Sequence, residues 1–149
     1  MKRINEYKKM FEIDKAIDLK ELKSTYRKLV KKWHPDKFLD DDPQKEEAVD
    51  MGRRVVDGYH FLVSIAPETV EANRPEYEKM IAECGIKEMN HKGLLMTLTF
   101  TDGSRYDYFG VNAALFRKFL NSDKQVRFAK RFIFTSFIYR KSQKAAEQE

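Results

Sequence analysis

The stretch DLKELKSTYRKLVKKWHPDK, residues 18–37, decides how the first half of the chain folds. Leu19, Leu22, Tyr26, Leu29, Val30 and Trp33 fall on one stripe of a 3.6-residue helix, and Lys20, Lys23, Arg27, Lys28, Lys31 and Lys32 cover its other faces. Asp18 stands where a side-chain oxygen accepts from the free amides of a first turn. Glu21, three residues on, completes a capping-box pattern. The helix has to stop near Trp33, because Pro35 bars His34 from the α region. His34-Pro35-Asp36 then opens a loop that the proline stiffens, with two polar side chains at its tip. No nucleophile, oxyanion donor or second carboxylate accompanies them locally, so the tripeptide reads as a presentation device rather than a catalytic site.

Outward from this stretch the pattern stays helical. A polar loop, Phe38 to Asp42, leads to a second helix capped by Asp42, with Pro43 at its first position where a missing N–H costs nothing. Its inner stripe is Ala48, Met51, Val55, Tyr59 and Leu62, and Gly52 and Gly58 weaken it by about 1 kcal/mol each. Two long amphipathic helices joined by a short loop bury their apolar faces by packing antiparallel. Short helices are expected on either side. One covers residues 6–12, with Tyr7, Met10 and Phe11 at helical spacing. The other covers Pro75–Cys84, with Tyr77, Met80, Ile81 and Cys84 inward and Gly85 as its C-cap.

With these residues in view, residues 6–64 resemble a J-domain, the cochaperone module of the DnaJ family. The likeness runs from Glu6-Tyr7 through Ile13, Asp18, Glu21-Leu22 and Tyr26-Arg27-Lys28-Leu29 to Trp33-His34-Pro35-Asp36-Lys37. Val55 and Tyr59 take the family's apolar positions in the third helix, and Asn73-Arg74 with Tyr77 resembles the segment that packs its last helix. The resemblance implies a partner, a DnaK-type chaperone ATPase, whose ATP hydrolysis the module stimulates. It implies docking by His34, Pro35 and Asp36 in the loop and by Tyr26, Arg27 and Lys28 on the helix, with Lys23 and Lys31 beside them. A cationic stripe suits an acidic partner, because it speeds encounter and fixes register while the loop makes the specific contact. Two positions depart from the family: Glu12 stands where glycine is usual, and Gly52 where phenylalanine is usual, leaving volume for Trp33 or Met51 to fill. No glycine/phenylalanine-rich linker and no cysteine-rich zinc region follow residue 64, so the resemblance is to the minimal class, a J-domain fused to another module.

The second half reads differently. Leu94, Met96, Leu98 and Phe100 alternate with Leu95, Thr97 and Thr99 as a half-buried strand does. Asp102-Gly103 supplies a positive-φ turn, and Arg105–Phe109 returns with Tyr106 and Tyr108 inward and Arg105 and Asp107 outward. Gly110 ends that strand. Asn112 caps a helix Ala113–Leu120 with Leu115, Phe116, Phe119 and Leu120 inward. Gln125 to Arg140 suits a helix through Val126, Ala129, Ile133 and Phe137, with a strand as the alternative, and the tail Ser142–Glu149 is expected to fray. A lone hairpin is marginal, so it has to lie on these helices. The order hairpin, helix, aromatic helix around LTFTDGSRYDYFGV resembles the KTSC domain over about residues 94–140, which implies a fold but no activity.

The expected fold is mainly α: a J-domain at 1–85, a linker at 86–93, and a small α+β module with a basic tail at 94–149. Composition agrees with a folded chain, since 42% of its 149 residues are hydrophobic and 13% aromatic. Residues 1–93 carry 19 basic and 19 acidic side chains, whereas 94–149 carry 10 against 5, so the whole excess of +5 lies in the second module. One cysteine makes neither an internal disulfide nor a paired-cysteine zinc site, and a reducing, cytoplasmic setting is expected. MKRINEYKKM has no apolar run behind its basic residues, so no secretory signal is expected, and no run approaches a membrane span. His60 and His91 have no partner at ligand spacing and Cys84 reads as core, so neither metal nor cofactor is expected. The chain is expected to be a cochaperone rather than an enzyme, with the C-terminal module serving an unknown client or site. The alternative is an adaptor whose basic, aromatic C-terminal segment (Arg127, Lys130, Arg131, Arg140, Lys141, Lys144) binds nucleic acid.

Overall fold

The computed structural model describes residues 2–142. The chain divides into two compact units, Lys2–Thr69 and the residues from Val70 onward. The fold is mainly α, with helices first and a small α+β module after them.

In the first unit, helix α1 (Lys2–Met10) precedes α2 (Leu19–Lys32), a 3-10 turn at Pro35–Lys37, and α3 (Pro43–Ile65). Helix α1 starts four residues before the expected 6–12. It ends in a reversal in which Glu12 N donates to Lys9 O and Ile13 N to Lys8 O, with Glu12 at φ 58°. This is the double-bonded C-terminal motif that favours glycine at the left-handed position, which is why glycine suits residue 12 and why Glu12 stands there under strain. Asp18 caps α2 as its sequence predicts, accepting from Lys20 N at 2.8 Å and Glu21 N at 3.2 Å. Asp42 caps α3 through Gln44 N at 2.8 Å.

The buried stripe of α3 is Ala48, Val55, Gly58, Phe61, Leu62 and Ile65, while Met51 and Tyr59 are half-buried. Phe61 escaped the predicted stripe because α1 crosses α3 and covers a second side of it; the Tyr7 and Phe61 rings lie 5.4 Å apart. Gly58 sits under this crossing and is not a weak point. A Cβ there would stand 2.8 Å from Tyr7 Cδ1 and 3.0 Å from Met10 Cε. A Cβ built at Gly52 would have within 4 Å, beyond its own helix backbone and chain neighbours, the backbone oxygen of Trp33 at 3.9 Å and nothing else.

Helix α4 (Pro67–Glu83) is longer than the predicted Pro75–Cys84, and Pro75 lies inside it. Both prolines suit a first turn, and Pro67 is the one that takes it. Its Tyr77 and Met80 are not part of the helical unit's core: they pack in the core of the second unit, with Ile81 and Cys84 beside them. Residues 86–93, expected as a linker, are strand β1 (Ile86–Lys92) and its turn. It pairs antiparallel with β2 (Leu95–Phe100), which pairs with β3 (Arg105–Phe109), and β3 with β4 (Ile138–Ser142). The sheet is a four-stranded antiparallel meander in the order β1-β2-β3-β4. Gly103, at φ 89°, makes the β2–β3 turn that L side chains resist, and Asp102 Oδ1 accepts from Ser104 N at 2.9 Å.

Between β3 and β4 lie α5 (Ala113–Leu120), capped by Asn112 as expected, and α6 (Gln125–Phe132). The predicted long helix stops at Phe132, where Ile133 N and Phe134 N both donate to Ala129 O at 2.8 Å, and the strand alternative holds for Ile138–Ser142. One sheet face presents Met96, Leu98, Phe100, Tyr106 and Tyr108 to Tyr77, Phe119, Ala129, Ile133 and Phe134. Tyr77 donates its hydroxyl to Phe134 O at 2.8 Å and meets the Tyr108 hydroxyl at 2.8 Å, tying helix, sheet and chain turn together. Three expected placements change, two of them outward (Arg105, Asp107) and one inward (Leu120). Asp107 is buried, because β4 makes β3 an interior strand and sets Asp107 between Thr97 and Arg140, at 3.0 and 3.1 Å. Arg105 is half-buried and Leu120 is 41% exposed. The predicted frayed tail beyond Ser142, with Lys144, lies outside the described residues.

Candidate functional site

Where α2 ends, Trp33 N still donates to Leu29 O, and His34 then leaves the helix at φ −64°, ψ 127°, the extended conformation Pro35 requires. Pro35 opens the single 3-10 turn, closed by Lys37 N to His34 O at 3.1 Å and Phe38 N to Pro35 O at 3.0 Å. The His34 ring folds back over this turn. Its Nδ1 accepts the Asp36 N–H at 3.2 Å and lies 3.6 Å from the Asp36 carboxylate. An accepting Nδ1 means the neutral ring carries its proton on Nε2. The side chains of His34 and Asp36 are 50% and 91% exposed. The tip is thus rigid in backbone and open in side chain.

Behind the tip, α2 lines an open furrow of about 430 Å³ with Lys20, Lys23, Ser24, Arg27, Lys28 and Lys31. These positions recur three and four residues apart, so the helix period alone brings them to one face. Lys31 and Lys32 occupy the last turn, where the helix dipole favours cations. Ser24 was missed by the sequence reading, although it lies four residues from both Lys20 and Lys28, on their face. Tyr26 stands apart from the furrow. Its ring stacks on Tyr59 at 4.1 Å and 14°, which makes it a rivet between α2 and α3. His34, Pro35 and Asp36 form the loop, and Lys23, Arg27, Lys28 and Lys31 the furrow; the two parts meet only through the last turn of α2.

Other candidates resolve as structure. His91 Nε2 lies 2.7 Å from Val111 O and its ring stacks on Phe116 at 4.7 Å; His60 meets the Tyr59 ring edge-on. Among the described residues no group of His, Cys, Asp and Glu has the arrangement of a metal site. No helix among them is long and apolar enough to cross a membrane.

Searches among curated proteins and among solved structures each return no match. Family models do match: the DnaJ domain over residues 6–63 and the KTSC domain over residues 86–137. The first match contains the whole His34–Asp36 loop and the furrow on α2. The second begins at the first residue of β1, where the sheet begins. A DnaJ domain brings a cochaperone role and, in general, a DnaK-type chaperone as partner. The chain therefore joins a DnaJ domain to a KTSC domain.

Proposed function

We propose that this chain docks on a DnaK-type chaperone ATPase through His34, Pro35 and Asp36 and the furrow on α2, and stimulates its ATP hydrolysis. The KTSC module then directs it to a client or site. The observation that carries this reading is the hydrogen bond from Asp36 N–H to His34 Nδ1, which holds the loop in one shape while its side chains face outward. A surface that is already ordered loses little entropy on docking. The furrow's cations speed encounter with an acidic partner, and the loop sets how long the complex lasts. The chain acts as a binding protein rather than an enzyme, in the cytoplasm and without a cofactor.

The test is single-turnover ATP hydrolysis by a DnaK-type chaperone, with this chain and with His34→Gln. Stimulation by the wild type and none by the variant is the expected result. No stimulation by either, with both folded by circular dichroism, overturns the reading.

A further inference from the structure

The docking reading leaves the excess charge of the second unit unused. Helices α5 and α6 carry Arg117, Lys118, Arg127, Lys130 and Arg131, and Lys124 caps α6; all six are exposed. Neither helix contains an acidic residue, and Asp123 is the one carboxylate in the loop between them. Ala129 points α6 into the core, so Arg127, Lys130 and Arg131 share its outward stripe and Lys124 extends it by one turn. Seven residues of helix make that stripe about 10 Å long.

Beside the stripe stand two apolar side chains that the core does not take up, Leu120 at 41% and Phe132 at 43% exposure. Phe132 ends a run of rings that starts at the sheet. His91 lies on Phe116, Phe116 near Phe119, Phe119 near Phe128 at 6.3 Å, and Phe128 near Phe132 at 4.8 Å. The Arg131 guanidinium lies 5.2 Å from the centre of the Phe132 ring. A braced phenyl with a guanidinium beside it presents a flat, cationic surface next to a line of charges.

We propose that the α5–α6 face binds single-stranded nucleic acid, the stripe of Lys124, Arg127, Lys130 and Arg131 meeting phosphates and the Phe132–Arg131 pair stacking an unpaired base. An acidic peptide uses the charges but has no partner for the ring pair, and a duplex keeps its bases stacked on one another. A single strand offers both phosphates and free base faces.

The experiment is fluorescence anisotropy of the full chain with labelled single strands of uridylate and of thymidylate, a DNA duplex of the same length, and an oligoglutamate peptide, across a salt series. Both single strands bind more tightly than the duplex or the peptide. Four phosphate contacts give a log–log salt slope of about −3, and Arg127→Ala with Arg131→Ala removes about 1.4 of it. Phe132→Leu, which keeps the apolar volume at the helix end, weakens single-strand binding by about tenfold at unchanged slope. Lys23→Ala with Arg27→Ala on α2, outside the α5–α6 face, leaves single-strand binding unchanged, whatever it does to chaperone stimulation. The proposal is overturned by absence of binding at the lowest salt, by equal binding of the peptide or the duplex, by no effect of the α6 or Phe132 variants in folded protein, or by loss of binding in the α2 variant.

Discussion

A Cβ on Gly58 would lie 2.8 Å from Cδ1 of Tyr7, so the crossing of α1 over α3 depends on the absence of a side chain at residue 58. Met10 Cε and Phe11 Cε2 close the same space at 3.0 and 3.2 Å. A Cβ on Gly52, six residues earlier on the same helix, would meet only the Trp33 oxygen, at 3.9 Å, beyond its own helix backbone and chain neighbours. The two glycines therefore respond to alanine with opposite sign. Gly52→Ala gains the helix-propensity difference and stabilises by about 0.5–1 kcal/mol. Gly58→Ala gains the same but displaces a ring from a packed crossing and destabilises by about 1–3 kcal/mol. Urea unfolding of both variants measures the difference, and a Gly58→Ala protein at least as stable as wild type contradicts the close approach.

Glu12 holds φ 58° at the end of α1 and is exposed. A β-carbon in that conformation costs about 1–2 kcal/mol, and glycine returns part of the gain through the freedom it adds to the unfolded chain. Glu12→Gly is expected to raise stability by about 0.5–1 kcal/mol. Glu12→Ala, which keeps the β-carbon, serves as the control and shows no gain in the same melts.

His34→Asn separates the two jobs of the histidine. The asparagine side chain accepts from the N–H two residues on, as His34 Nδ1 does from Asp36, so the turn survives with a stability change within about 0.5 kcal/mol. The Nε2–H donor is gone. Stimulation of a DnaK-type ATPase should therefore be lost although the loop's amide shifts stay close to wild type in NMR spectra; a variant that stimulates fully would show that turn geometry alone is read by the partner.

Asp107 accepts from Thr97 Oγ1 and Arg140 Nε in a buried position. Asp107→Ala removes the acceptor that Thr97 and Arg140 share and is expected to cost about 2–4 kcal/mol, overlapping the low end of the roughly 3–5 kcal/mol for a fully buried pair because Arg140 is 19% exposed. A double-mutant cycle with Arg140→Gln should give a coupling of at least about 1 kcal/mol. Strict additivity in thermal unfolding would show that β4 is held by its backbone ladder alone.

Burial raises Tyr106 to about 12 and pushes Tyr77 and Tyr108 above the ordinary tyrosine value as well. Unfolded tyrosines titrate near about 10. Above that pH the unfolded chain has released protons that the native chain keeps, so the stabilisation is complete below pH 10 and falls as pH rises. Each such tyrosine contributes a slope of about 1.4 kcal/mol per pH unit. Tyr106→Phe removes one of these protons, and its stability should fall less steeply than wild type between about pH 10 and 12. Parallel curves in urea titrations across that window would count against Tyr106.

How much of this was legible follows from how local each signal is. Asp18, Asp42 and Asn112 cap the helices they were expected to cap, because a cap is settled within four residues of chain. The shape of the His34–Asp36 loop was legible for the same reason: Pro35 acts on His34, its neighbour. Strand β1 was not, since Ile86–Lys92 holds only Ile86 and Met89 as apolar residues and pairs on one side only. Strand β4 was blurred by aromatic residues that suit helix and strand alike. The burial of Asp107 was invisible because alternation reports which face a residue is on, and only the pairing with β4 determines what flanks it. Gly58 was misread because helix propensity is a property of one residue, whereas the crossing involves Tyr7, 51 residues away.

The sheet's order also sets a timetable for synthesis. All helices of the first unit have been made by about residue 69, and β2 can meet β3 as soon as Phe109 emerges. Strand β4 pairs with β3 only after both α5 and α6 have been made, and Arg140 is translated 33 residues after Asp107. At about 5–20 residues per second that is roughly 2–7 seconds during which β3 is an open edge on the nascent chain. For that interval an unpaired strand and its carboxylate stand exposed on a polypeptide whose DnaJ-domain helices have already been made.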